Sequence, residues 1–126
     1  MQGLHLIADF HRCACSLILL TGAEALAGLC RSHAREAGLS IVDEKWHSFP
    51  SFLDQPGGVT GVLLLAESHL AVHTWPERGG VTLDVYVCNI SEDNSEKAER
   101  LMRELEVAFR PGKIHFQRLR RGDENP

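Results

Sequence analysis

The chain is predicted to fold as an α+β two-layer sandwich, an antiparallel-rich sheet with two helices packed on one face. Three observations carry this. Several short runs alternate apolar with polar residues, as half-buried strands do. Two longer stretches, around Leu26–Ala37 and Ala98–Ala108, instead repeat their apolar residues at helical spacing. The two kinds of segment come in blocks and not in strict alternation, which disfavours a doubly wound fold. At 126 residues the chain forms one domain, 1–126, with enough apolar content (44%) for a single core.

In order along the chain, Leu4 to Phe10 alternates well enough for a first strand, with His5 and Asp9 on one face. Thr21 then reads as the N-cap of a helix, with Glu24 three residues on completing a capping box. Leu26, Leu29, Cys30, His33 and Ala37 give that helix its buried side, and Gly38 is placed to stop it. Ile41 to Phe49 reads as a second strand, with Trp46 in the core. Pro50 to Gly58 is a loop. Val59 to Ala66 is almost wholly apolar, the signature of a strand covered on both sides, whose burial would keep water from the bond that follows. Farther on, Ser95 caps a second helix with its stripe at Ala98, Leu101, Met102, Leu105 and Ala108. Pro111-Gly112 ends it, and Ile114 and Phe116 begin a last strand.

The stretch Glu67-Ser68-His69-Leu70-Ala71-Val72-His73-Thr74-Trp75-Pro76-Glu77 concentrates chemistry, and Cys88 closes the next run. Ser68–Trp75 and Val81–Cys88 read as the arms of a hairpin around Pro76–Gly80. With the turn centred near Arg78, partners sum to roughly 156, which sets Ser68 opposite Cys88 with Cβ atoms about 4.5–5.5 Å apart. His73 is an odd number of residues from Ser68 and points to the other face, with Trp75 and Glu77 on its side. One subunit would not then gather all these groups.

Glu67-Ser68-His69, His73-Thr74-Trp75-Pro76-Glu77, Asp84 and Cys88 resemble, in identity and spacing, the prokaryotic S-adenosylmethionine decarboxylase proenzymes, a pyruvoyl-dependent family. The likeness extends more weakly from His5–Phe10 through Gly58–Val62 to the last strand. It implies self-cleavage between Glu67 and Ser68 into a β chain 1–67 and an α chain 68–126. The Ser68 hydroxyl would attack the preceding carbonyl to give an ester; elimination and hydrolysis would leave a pyruvoyl cofactor. That group would form a Schiff base with S-adenosylmethionine and release carbon dioxide, giving the aminopropyl donor for spermidine synthesis. By the same resemblance His73 serves proton abstraction in processing, as suits an imidazole near neutral pH. Cys88 returns a proton to the substrate, and its thiol is an uncommon acid with an ordinary pKa of about 8.5. Thr60 stands where the family commonly has a serine that assists processing and holds the substrate. Trp75 matches an adenine-stacking position and Glu77 a ribose-hydroxyl ligand. The loop from Pro50 departs from the pattern and is longer, leaving Phe49 and Phe52 as alternatives for a second adenine contact. The family shares each site between two subunits, Ser68 and Cys88 from one and Thr60, His73 and Glu77 from the other, in a homodimer of αββα layering.

Other readings stay open. The same machinery could act on ornithine or arginine, because the loop before Gly57 is altered and Arg78-Gly79-Gly80 replaces residues that are often aromatic. His69 and His73, four apart on one strand face, could bind metal with a thiol, as could Cys13 and Cys15 with His11. The histidine pair lacks a convincing second pair of ligands, the cysteine pair reads better as a strand end, and no metal is expected. A non-catalytic interaction domain would never cut itself. A net charge of −4 disfavours nucleic acid or an acidic membrane as partner, and the basic run Arg118–Arg121, followed by Gly122-Asp123-Glu124, reads as a solvated tail. No signal peptide or spanning segment is visible, and four cysteines without a repeated CxxC suit a reduced, cytoplasmic setting.

Overall fold

The four inner strands alternate in burial because each lays one row of side chains under helices and the other on a face that no helix covers among the described residues. The computed structural model describes residues 1–122. It contains β1 (Gly3–His11), α1 (Ile18–Thr21), α2 (Ala23–Glu36), β2 (Ile41–Ser48), β3 (Val59–Leu65), β4 (Ser68–Trp75), β5 (Gly80–Cys88), α3 (Ser95–Phe109) and β6 (Lys113–Arg121). The six strands form one antiparallel sheet in the order β2-β3-β4-β5-β1-β6. The expected two-layer α+β sandwich is what forms.

The core lies between the sheet and the helices. Leu6, Phe10, Leu63, Leu70, Val72 and Leu83 supply the sheet side and Leu26, Cys30, Leu101, Leu105 and Phe109 the helix side, all fully or nearly fully buried. Burial at this level stabilises by about 1.5–3 kcal/mol per large side chain. Arg31 on α2 ties the layers together at β2, donating from Nε to both carboxylate oxygens of Glu44 at 2.6 and 2.8 Å, while Trp46 Nε1 donates to the same carboxylate at 2.8 Å. A Cβ on Gly61 would run into the Trp46 ring, so glycine is required where the indole crosses β3.

Several local expectations need correction. A third, short helix, α1, precedes α2, and Gly22 occupies the N-cap that Thr21 was expected to take. The Thr21 hydroxyl instead donates back to the Leu17 carbonyl at 3.1 Å, because Thr21 is the last residue of α1. Asn94, not Ser95, holds the N-cap position of α3; Asp93 accepts from the Ser95 N–H at 2.9 Å. β3 is covered on one side only, with Leu64 46% exposed, because all the helices lie on the other face. Arg118–Arg121 is not a tail but part of β6, where Arg118 pairs with Glu99 and Arg121 donates to His5. A cationic edge strand of this kind resists edge-to-edge association. Asp123 and Glu124, the acidic part of that reading, lie outside the described residues.

Candidate active site

β3 and β4 join through two residues, Ala66 and Glu67, so Ser68 opens β4 paired with Leu65. Ser68 is buried, and its Oγ accepts the backbone N–H of Cys88 at 3.4 Å. Cys88 is itself only 6% exposed. The two residues therefore meet, but not as expected. His69 faces Tyr86 and Trp75 faces Gly80, one residue out from the register read in the sequence. The cause is the turn: Pro76–Arg78 forms a 3₁₀ turn closed by Gly79 at φ +62, and Gly80 already belongs to β5. A one-residue slip exchanges faces. Cys88 thus follows Tyr86, Asp84 and Thr82 on the open face, while Ser68 is in phase with the buried Leu70 and Val72. The bond ahead of Ser68 is also not enclosed as expected, since Ala66 and Glu67 are exposed turn residues.

A second cluster lies at the other end of the same strands. Thr60 on β3 faces His73 on β4, and Thr60 Oγ1 is 3.0 Å from His73 Nδ1. Beneath them the buried Thr74 hydroxyl accepts from the Val59 N–H at 2.8 Å and donates to the Leu20 carbonyl at 2.6 Å, fixing this corner to α1. Trp75, 47% exposed, and Glu77 line a cavity of about 420 Å³ together with Asp9, His11, Arg78 and Thr82. That volume suits a nucleoside-sized ligand. Phe49 stacks edge-on against His47, centroids 4.6 Å apart, and His47 is the register partner of Thr60. Phe52 is 75% exposed, in an isolated bridge to Gln55.

Five residues of strand separate Ser68 from His73, about 17 Å at roughly 3.4 Å per residue. One chain brings together Ser68 with Cys88, and Thr60 with His73 and Trp75 with Glu77, but not the two groups.

Between them the open face carries a polar network that sequence reasoning missed. His5 lies 3.2 Å from Asp84, Arg121 donates to His5 Nδ1 at 3.0 Å, and the Arg121 guanidinium sits 5.4 Å from the centre of the Tyr86 ring. The His69 imidazole packs against Tyr86 at 5.6 Å, and burial, followed by the neighbouring His5, holds its pKa below the ordinary value. Asp9 and His11 in the cavity also went unread, because their strand is distant in sequence from Trp75. The expected strand alternation of His5 and Asp9 was the one available signal.

The remaining thiols suit packing better than chemistry. Burial raises Cys13 to about 11 and Cys30 to about 12, so neither is a thiolate near neutrality. Among the described residues no three His, Cys, Asp or Glu side chains gather as a metal site, and no helix is long and apolar enough to cross a membrane.

The sequence and the fold both have known counterparts. The family model for S-adenosylmethionine decarboxylase matches residues 4–122. Proteins described as S-adenosylmethionine decarboxylase proenzymes are similar along nearly the whole chain. That of Thermoplasma volcanium is 36% identical over 96% of this chain and 85% of its own. That of Picrophilus torridus is 32% identical over 97% and 85%. The crystal structure of the adenosylmethionine decarboxylase from Aquifex aeolicus superposes with a TM-score of 0.80 at 32% identity, covering 98% of this chain and 95% of that one. The chain belongs to the S-adenosylmethionine decarboxylase family.

Proposed function

We propose that two copies of this chain pair through the open faces of their sheets, that each cuts itself between Glu67 and Ser68, and that the product decarboxylates S-adenosylmethionine. The observation that carries the pairing is the separation of the two half-sites along β4. Ser68 and Cys88 of one protomer need the partner's Thr60, His73, Trp75 and Glu77; two sheets face to face in opposite senses would bring these groups to Cys88 and to the exposed Ala66-Glu67 turn that leads into Ser68. The open face is suited to this, with Leu64, Trp75 and Leu119 all at least 40% exposed. Large exposed apolar side chains grouped on one face mark an interaction surface.

Cleavage uses the chain's own groups. Ser68 Oγ adds to the Glu67 carbonyl carbon, the C–N bond breaks, and the hydroxyl proton passes to the Ser68 nitrogen, leaving an ester. The partner's His73 takes the Ser68 α-proton as the Glu67 carboxylate leaves; water then displaces ammonia, so the new α chain begins with a ketone. Thr60 Oγ1 lies within hydrogen-bond distance of Nδ1; in the tautomer that donates Nδ1–H to it, the imidazole keeps an Nε2 lone pair for that proton. A pyruvoyl group, once formed, supplies a carbonyl for the substrate amine and a sink for the electron pair left by carbon dioxide.

The residues present fit such a group. Position 68 is buried, and the Cys88 N–H already donates to its oxygen in the precursor. Cys88 holds the proton that the substrate carbon receives. Trp75 stacks the adenine and Glu77 accepts from the ribose hydroxyls, with Phe49 better placed than Phe52 to complete the stack. The comparisons lend no support to ornithine or arginine as substrate. Release of labelled carbon dioxide from S-adenosylmethionine, ornithine and arginine, compared on one preparation, tests the reading: only the first should yield it.

A further inference from the structure

Glu67 carries the carbonyl that the proposed cleavage attacks, and its backbone is in the left-handed region at φ +63. A two-residue hairpin connection with a positive φ suits Gly or Asn. In an L-residue with a longer side chain, Cβ crowds the carbonyl oxygen that follows it. Asn and Asp relieve this with a short polar side chain bonded locally. Glu67 is exposed, and among the described residues its carboxylate has no hydrogen-bond partner.

The turn also has little freedom to relax. Leu65 and Ser68 are paired across the hairpin. The Ala66 N–H donates to the Ser40 carbonyl at 3.0 Å, and Ser68 Oγ holds the Cys88 N–H. Other non-glycine residues at positive φ sit elsewhere: Arg110 in the cap of α3, Leu53 and Asp54 in the loop after β2, and Arg12 after β1. Glu67 alone among them joins two adjacent strands directly.

We propose that the left-handed Glu67 stores backbone strain in the precursor, which is released as the Glu67–Ser68 C–N bond breaks and so speeds the acyl shift. This rests on the cleavage reading above. Strain of this kind, held by surrounding structure that over-determines it, recurs at reactive sites. When the acyl carbon leaves the Ser68 nitrogen for Oγ, Glu67 is no longer tied to β4 through a planar amide, and its φ is free to return to negative values. Glu67 acts here through its backbone, as a positioning residue; its carboxylate is dispensable.

The test compares Glu67→Ala, which keeps a Cβ in the strained position, with Glu67→Gly, which does not. Freshly synthesised, labelled chain is followed on denaturing gels as it splits. Glu67→Ala should cut within about twofold of the natural chain, and Glu67→Gly about 5- to 30-fold more slowly. Glu67→Asn should fall between. In an uncleavable Ser68→Ala background, Glu67→Gly should melt at a higher temperature than Glu67→Ala. Equal cutting rates for Gly and Ala, or a Gly variant no more stable than its Ala counterpart, would overturn the proposal. A natural chain that never cuts would instead sink the cleavage reading, and the melting comparison would still decide whether the turn is strained.

Discussion

Thr60 Oγ1 and His73 Nδ1 lie 3.0 Å apart across two paired strands, so a single hydroxyl holds the orientation of the imidazole. Removing it while keeping shape should therefore slow processing without unfolding the chain. Thr60→Val is expected to lower the cutting rate about 3- to 10-fold, the worth of one such hydrogen bond. Thr60→Ser should cut at nearly the natural rate. Gel-based time courses distinguish the two, and equal rates for Val and Ser would remove Thr60 from the machinery.

Sharing of the site predicts complementation. A Ser68→Ala chain has no hydroxyl to attack, and a His73→Ala dimer has no base for the elimination. Co-expressed, they form mixed dimers in which Ser68 of one chain meets the partner's His73. Fragments of the His73→Ala chain should appear only in the mixture. If His73 served its own Ser68, the mixture would stay as uncut as either parent, and the two-chain site would be wrong.

Cys88→Ala should leave cutting intact and lower the decarboxylation rate about 10²- to 10⁴-fold, the range for loss of a positioned acid. Cys88 is buried, but the substitution removes a single sulfur atom, so the packing loss is small. Intact mass and carbon dioxide release, measured on the same sample, separate processing from turnover. Full activity in the variant would assign the proton to another group.

Acid should weaken the fold through His69. Burial and, after it, the nearby His5 hold this imidazole below its ordinary value of 6.5 in the folded chain, with Asp84 opposing and Arg121 adding to the effect. The unfolded chain therefore binds the proton first as pH falls. His69's contribution is whole above about pH 6.5 and is lost as pH falls through the lowered folded value. Glu44, lowered by Arg31 and Trp46 against an opposing burial effect, gives way only in the carboxylate range. Thermal melts between pH 7 and 5 should show a falling Tm that His69→Gln flattens; an unchanged slope would refute the assignment.

The two-layer arrangement was legible because the alternation of β1 and β5 and the stripe of α3 are strong, local patterns. The candidate site residues were read from their joint spacing; Ser68 and Cys88 fall at the ends of the strands on which they were read, and His73 falls inside β4. Register was not legible, since it turned on whether Gly80 belongs to the turn or to β5, and a single residue exchanged the face of Cys88. One-sided cover of β3 was hidden for a related reason: Val62 and Leu64 are apolar whether helices or a second sheet meet them. The cavity residues Asp9 and His11 come from β1, which only the tertiary pairing with β5 brings beside Trp75. Nothing in a glutamate signals a left-handed backbone, so the strain at Glu67 had no trace in the sequence.

The most direct measurement is the intact mass of purified, catalytically active protein under denaturing conditions. Two fragments divided between Glu67 and Ser68 are expected, the larger-numbered one lighter than its encoded mass by the elements of ammonia, because residue 68 has lost its amine nitrogen and given its hydroxyl oxygen to the Glu67 carboxylate while gaining a ketone oxygen from water. A single full-length mass in an active sample would contradict the account at its root.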